Sequence, residues 1–218
     1  MWLLLVPEYI FAQRNDSYQF SHLDIKNGLS DNQVNCIFKD QKGFMWFGTT
    51  SGLNRYDGNR FKIFKHDAKD VNSLAENHVL TVLEGPDEKL WVFTHSNISV
   101  YDPKIERFSN DLRKQLSYYN IPAVAISSIK KDINGAFWFL VPEKGLYRYN
   151  PKDKKTVFYS NQRTSATLLH SNAVVDVTPS STGDLWIIYS DGFLERLDPK
   201  ANKIISRFEG IAKSIINK

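Results

Sequence analysis

A tryptophan near the start of a short apolar run recurs four times, as Trp46, Trp91, Trp138 and Trp186, at spacings of 45, 47 and 48 residues. A fixed period of this length marks a repeat architecture, and periods of roughly 40–50 residues suit propeller blades. Such a chain spends its recurring residues on packing, so anything specific to function is expected where the repeats differ.

The text around each tryptophan reads as four strands. A β-branched segment comes first: residues 32–38, 77–83, 125–129 and 172–177. A turn follows, clearest in Asp40-Gln41-Lys42-Gly43 and Asp132-Ile133-Asn134-Gly135 and weaker at Gly85-Pro86-Asp87-Glu88 and Ser180-Ser181-Thr182-Gly183. The tryptophan runs do not alternate, so they must be covered on both faces, as a blade stacked between two others would be. A third strand ends at Asp57, Asp102, Asn150 and Asp198 before Gly or Pro, a turn signal. A last strand is expected to end on an aromatic: Phe64, Phe108, Phe158 and Phe208. The fold class is therefore all-β, a propeller of four-stranded antiparallel blades with about four blades present. Recurrence of the indoles at one place favours core packing over the other use of such a residue, a platform on which a sugar ring stacks.

The 218 residues leave no room for a domain boundary. Blades are expected at about 29–66, 74–110, 122–160 and 168–208, inside a partial propeller over 18–218. Residues 18–24 resemble a last strand without its own blade, and residues 209–218 the opening of a further repeat. An unclosed stack leaves sheet edges bare, so the chain is expected to form the opening part of a larger propeller. Residues 110–119 are polar and suit one or two helical turns. Residues 1–17 open with the apolar Trp2-Leu3-Leu4-Leu5-Val6 and run to Ile10-Phe11-Ala12-Gln13, which reads as the remnant of an export signal or as an apolar tail.

A single cysteine, Cys36, excludes an internal disulfide and a CxxC metal site, and its place in the strand aligns with Thr81. The net charge of +4 is too small to argue for nucleic acid, though a mild basic excess favours anionic ligands by raising their encounter rate. The five histidines, His22, His66, His78, His95 and His170, show no HExxH spacing, and there is no GxSxG or phosphate loop. No catalytic residue, metal ligand or cofactor is assigned, and the ligand-binding residues are left open. Blade-specific residues are the pointers: Thr50-Ser51, His95-Ser96, Glu143-Lys144 and Ser190-Asp191 after the tryptophan strand, and Arg55, Arg148 and Arg196 near the end of the third strand. Were the chain an enzyme, His78 and His95 would be the candidate bases.

The first repeat, Gly28-Leu29-Ser30-Asp31-Asn32-Gln33-Val34, then residues 40–49, then Gly52-Leu53-Asn54-Arg55-Tyr56-Asp57-Gly58, resembles the two-component regulator propeller repeat. The likeness is strong from Phe20 to about Asp102. It weakens in the third and fourth repeats, where the leading Gly-Leu-Ser is lost. The resemblance implies the sensor region of hybrid two-component system histidine kinases of Bacteroidetes: periplasmic, homodimeric in the full-length protein, binding a glycan fragment and relaying it to a kinase and transcriptional regulator beyond this chain. It implies a non-enzymatic segment, with a propeller lyase or other glycan-degrading enzyme and a protein-interaction scaffold as alternatives.

Overall fold

The computed structural model describes residues 20–162, 165 and 167–209. The possible export signal over 1–17 and nearly all of 209–218 lie outside them. Four antiparallel sheets follow one another in the chain, each a four-stranded meander. The first holds β1 (Val34–Lys39), β2 (Met45–Thr49), β3 (Gly52–Tyr56) and β4 (Phe61–Phe64). The second holds β5 (Val79–Glu84), β6 (Leu90–Thr94), β7 (Ile98–Asp102) and β8 (Arg107–Ser109). The third holds β9 (Ser128–Lys131), β10 (Phe137–Val141), β11 (Gly145–Asn150) and β12 (Lys155–Tyr159). The fourth holds β13 (Val174–Pro179), β14 (Leu185–Tyr189), β15 (Leu194–Asp198) and β16 (Lys203–Phe208). The first strands of consecutive sheets lie side by side, β1 by β5, β5 by β9 and β9 by β13, which is the arrangement of propeller blades around an axis. The helical turns expected over 110–119 are α1 (Leu112–Ser117), in the connection between the second and third blades.

Three apolar cores fill the seams between blades. Trp46 and Leu53 pack on Val82, Leu90, Val92 and Tyr101. Trp91 and Val100 pack on Phe137, Phe139 and Tyr149, with Leu116, Tyr119 and Ile121 of the connection wedged between. Trp138, Leu140 and Tyr159 pack on Leu185, Ile187, Tyr189 and Leu197. Each of these three indoles is at most 1% exposed. A ring of this size buries on the order of 200 Å², about 5 kcal/mol of transfer free energy before entropy is charged against it. The indoles are thus seam fillers rather than a sugar platform. Strand β10, in an interior blade, is buried at every residue, as a strand apolar on both faces requires.

Trp46, Trp91 and Trp138 point toward the following blade, and in the first, third and fourth blades the indole is flanked by two side chains from the next strands. Arg55, Arg148 and Arg196 pair with Trp46, Trp138 and Trp186 in register, with guanidinium carbons 5.6–5.8 Å from the ring centroids. An aromatic of the fourth strand lies on the same face: Phe64, Tyr159 and Phe208, at centroid distances of 5.7, 5.3 and 5.9 Å. This corrects the sequence alignment of last-strand aromatics. Phe64, Tyr159 and Phe208 are equivalent, each opposite a leucine (Leu53, Leu146, Leu194), whereas Phe108 faces Tyr101 as Phe61 faces Tyr56, and Phe158 faces Tyr147. The hairpin turns differ in length, and a one-residue slip moves a side chain to the other face.

Two further expectations are revised. Among the described residues of 18–24 there is no strand; the segment leads into a single 3₁₀ turn, Ile25–Asn27, capped by Asp24. The first strand of the third blade lies at Ser128–Lys131, about two residues later than the β-branched segment suggested. Cys36 occupies the place of Thr81, as aligned: both follow a bulged residue (Asn35, Leu80) and oppose the second strand. Its thiol is half-buried, and that burial pushes its pKa up. Gly48 opposite it admits no side chain, since a Cβ there would sit 2.6 Å from both Cys36 Sγ and Val79 Cγ1.

Candidate functional site

The register decides which loops meet. The start of β1 opposes the end of β2, and the end of β4 opposes the start of β3. The β2–β3 type turns therefore share one rim with the connections between blades, and the same holds in every blade. Thr50-Ser51, His95-Ser96, Glu143-Lys144 and Ser190-Asp191 all lie on this rim. The turns after the first and third strands form the opposite rim. The blade-specific polar residues thus gather at one end of the molecule, whereas Arg55, Arg148 and Arg196 are removed from the candidate set, because they pack on their own tryptophans.

The rim is built by a repeating latch. Leu29, Leu74 and Leu169 are buried at the entry to the first, second and fourth blades. One residue on, a backbone N–H donates to a polar side chain of the third strand: Ser30 N to Asn54 Oδ1 at 2.9 Å, Ala75 N to Ser99 Oγ at 3.0 Å, and His170 N to Glu195 Oε2 at 3.1 Å. Asn54, Ser99 and Glu195 are fully buried, so these bonds replace lost hydration. Two residues further, Asn32, Asn77 and Asn172 each accept the backbone N–H of an earlier residue, those of Ile25, His66 and Asn161, at 2.8–3.1 Å. The first strand then starts. Sequence reading lined up the three asparagines as strand beginnings; it missed their role as clamps, which the shared Leu-x-x-Asn spacing could have signalled.

On this scaffold each blade presents a different group. In the first, Asp31 accepts from Thr50 Oγ1, Ser51 Oγ (both 2.7 Å) and Gln33 N (2.9 Å). The Gln33 N–H, then the two hydroxyls, hold its pKa down at about 2. In the second, Glu76 accepts from Ser96 N and Asn97 Nδ2, both at 3.0 Å, and the Ser96 N–H is the main cause of its lowered pKa. Beside it the rings of His78 and His95 stack with centroids 6.0 Å apart, so the two histidines singled out from the sequence do come together. In the fourth blade His170 lies flat on Phe193, centroids 3.9 Å apart, and its Nε2 is 2.7 Å from Asp191 Oδ2. Hydrogen bonding to His170 is the first cause of a lowered Asp191 pKa. Beneath it Glu195 receives Tyr189 Oη and, at 2.7 Å, Arg207 Nε, and burial followed by that carboxylate pushes the Tyr189 phenol up.

The chemistry follows from these bonds. Asp31 and Glu76 are ionised and fully engaged in closing turns, so they order loops rather than move protons. Exposed imidazoles, hydroxyls and the Glu143-Lys144 pair provide donors and acceptors spread over the rim, a pattern suited to recognising a polar molecule. Among the described residues, no three of His, Cys, Asp and Glu converge as a metal centre would require. No helix of the described residues is long and apolar enough to cross a membrane.

Residues 28–51, which build the first latch, the first hairpin and the Trp46 strand, match the family model described as two component regulator propeller. The first blade carries a two component regulator propeller repeat. A curated relative, histidine kinase P4 of Formosa agariphila, is 36% identical over 62 residues, which are 28% of this chain and 4% of that protein. Two solved structures share the fold. The extracellular domain of a putative one component system from B. thetaiotaomicron has a TM-score of 0.55 at 20% identity, covering 83% of this chain and 25% of that one. PorZ, a bacterial surface component of the type-IX secretion system of Porphyromonas gingivalis, has a TM-score of 0.56 at 16% identity, covering 84% and 23%. The chain spans about a quarter of the length of these structures and a far smaller share of the curated relative.

Proposed function

We propose that this propeller segment is the extracytoplasmic sensory part of a two-component system, with a histidine kinase and transcriptional regulator carried elsewhere in a longer, homodimeric protein. The observation that carries this reading is the two component regulator propeller repeat at residues 28–51, supported by the local identity to a histidine kinase. The segment itself performs no chemistry. A glycan fragment or similar polar ligand bridges the rim groups of several blades, and the periplasm is where such a ligand is met. Signalling then requires the ligand to bind the two output states unequally. The test is a reporter strain in which transcription depends on the protein containing this chain. Induction by one oligosaccharide, and its loss on changing the rim pair His78 and His95 to alanine, is the expected result. Degradation of that oligosaccharide by the purified chain would overturn the non-enzymatic reading in favour of a lyase or hydrolase.

A further inference from the structure

The seam between the second and third blades lacks three parts that recur in the others. Where Asp40 and Asp132 accept the indole N–H of Trp46 and Trp138 (2.8 and 3.1 Å), the second blade has Gly85, and Trp91 Nε1 has no partner among the described residues. Where Arg55 and Arg148 cover the indole, it has Val100. Where Phe64 and Tyr159 lie against the indole, β8 has no equivalent, since its Phe108 faces Tyr101 on the other side of the sheet, and Tyr119 from beyond α1 lies at 6.5 Å from Trp91 instead. Outside this substitute filling, the seam opens into a cavity of about 530 Å³, within the size range of small-molecule sites.

The charge of this cavity is not balanced from within. Lys89, Arg107, Lys114 and Lys154 line it, from three different segments of the second and third blades and from α1. Among the described residues none of the four forms an ion pair. In the neighbouring seam the cations are matched: Arg55 and Lys62 both reach Glu106, at 2.7 and 2.5 Å. Two carboxylates, Asp87 and Asp102, also line the cavity, which leaves two cations in excess; Asp87 accepts from the Tyr119 hydroxyl at 3.3 Å and Asp102 from the N–H of Lys104 at 2.9 Å. At the mouth Tyr118 is 57% exposed, with Lys89 Nζ 5.8 Å from its ring centre.

We infer that this cavity binds a small organic anion, a carboxylate or sulfate carried beside a ring or apolar face. The cations supply charge-assisted hydrogen bonds to the anionic group, and Tyr118 supplies a flat surface for the rest of the molecule. The inference goes beyond the rim site, because Lys89, Arg107 and Lys154 lie in or beside the turns after the first and third strands, on the opposite rim; it rests on the sensory reading for its biological purpose only, and the binding itself stands on the cavity. Titration calorimetry of the 218-residue chain tests it, with a uronic-acid disaccharide, its neutral counterpart and sodium sulfate as probes. The uronide is expected to bind saturably, and the neutral sugar about tenfold more weakly or worse. Arg107→Ala with Lys114→Ala is expected to weaken the uronide about tenfold at an unchanged unfolding midpoint, because both side chains are exposed. Tyr118→Ala weakens the uronide and leaves sulfate unaffected. Should the double variant unfold, Lys154→Glu on its exposed turn serves in its place. Equal affinity for the neutral sugar, no saturable heat with any probe, or indifference to the charge variants would each overturn the proposal. Intact binding without reporter induction would instead remove the sensory reading and leave the site standing.

Discussion

Equivalent positions on the inner seams and on the two outward faces of the stack have opposite fates. In the second blade Val82, Leu90 and Val92 meet the first blade and are at most 3% exposed. Their counterparts in the first blade are Ile37, Met45 and Phe47; Ile37 is 60% exposed and the other two are half-buried. At the other end Trp186 is only half-buried, while Trp46, Trp91 and Trp138 are sealed. Among the described residues the apolar cores lie at three seams, and none joins the fourth sheet to the first. The blades present nearly the same residues, so the residues do not set the burial; a neighbouring sheet does. Stability in such a stack is close to a sum over adjacent interfaces.

Deleting an indole has the largest expected effect, and the effect depends on whether a neighbouring sheet covers the ring. Trp138→Ala is expected to cost about 3–5 kcal/mol, since it empties a closed seam. Trp186→Ala is expected to cost less than half as much, because its ring keeps one face open. Denaturant unfolding of the two variants checks this, and equal losses would show that the fourth blade's far face is covered in solution.

A smaller effect separates the seams from one another. Asp132 is buried and serves both the indole N–H of Trp138 and the N–H groups of Asn134 and Ala136. Asp132→Ala should cost roughly 1–3 kcal/mol by stranding these donors. The second blade has no such acceptor to lose, but its turn has no room either. A Cβ at Gly85 would lie 2.2 Å from Trp91 Nε1, so Gly85→Ala should be destabilising by about 1–3 kcal/mol through overpacking. A neutral Gly85→Ala variant, read by thermal melting, would mean that the second seam is looser than the packing indicates.

The rim latches should respond to acid, whereas the apolar seams should not. Asp31 is held at about 2, below its ordinary value of 3.8, so ionised Asp31 favours the folded state. That contribution is complete above about pH 4 and is lost as pH falls toward 2. Carbon-13 titration of the Asp31 carboxyl should report this midpoint, and Asp31→Asn should flatten the corresponding part of the pH–stability curve. An Asp31 that titrates near 3.8 would mean the Thr50 and Ser51 bonds are absent in solution. The smallest effect belongs to the outer edge of the first seam. Glu106→Gln removes the partner of Arg55 and Lys62 from an exposed site and should change stability by less than about 1 kcal/mol, fading with added salt.

Much of this molecule is written locally. The recurrence of Trp46, Trp91, Trp138 and Trp186 sets the number of blades. The Asp-x-x-Gly turns and the Asp or Asn before Pro or Gly set the meander: Asp57, Asp102 and Asp198 each accept backbone N–H groups two or three residues ahead. These signals need only a few adjacent residues to act, so they can be read without coordinates. The direction each side chain faces, and the residues it meets, come from long-range packing. Bulged residues at Asn35, Leu80 and Val175 reset the alternation in three first strands, and unequal turns shift the fourth-strand aromatics, so period counting misplaced Phe108 and Phe158. The arginines suspected of function sit on indoles because a cross-strand register puts them there. The cavity beside Tyr118 exists because an eighteen-residue connection fills a seam that lacks its usual parts. A side chain's neighbours across a seam lie roughly one repeat away in the chain, and a single residue of slip is enough to exchange them for solvent.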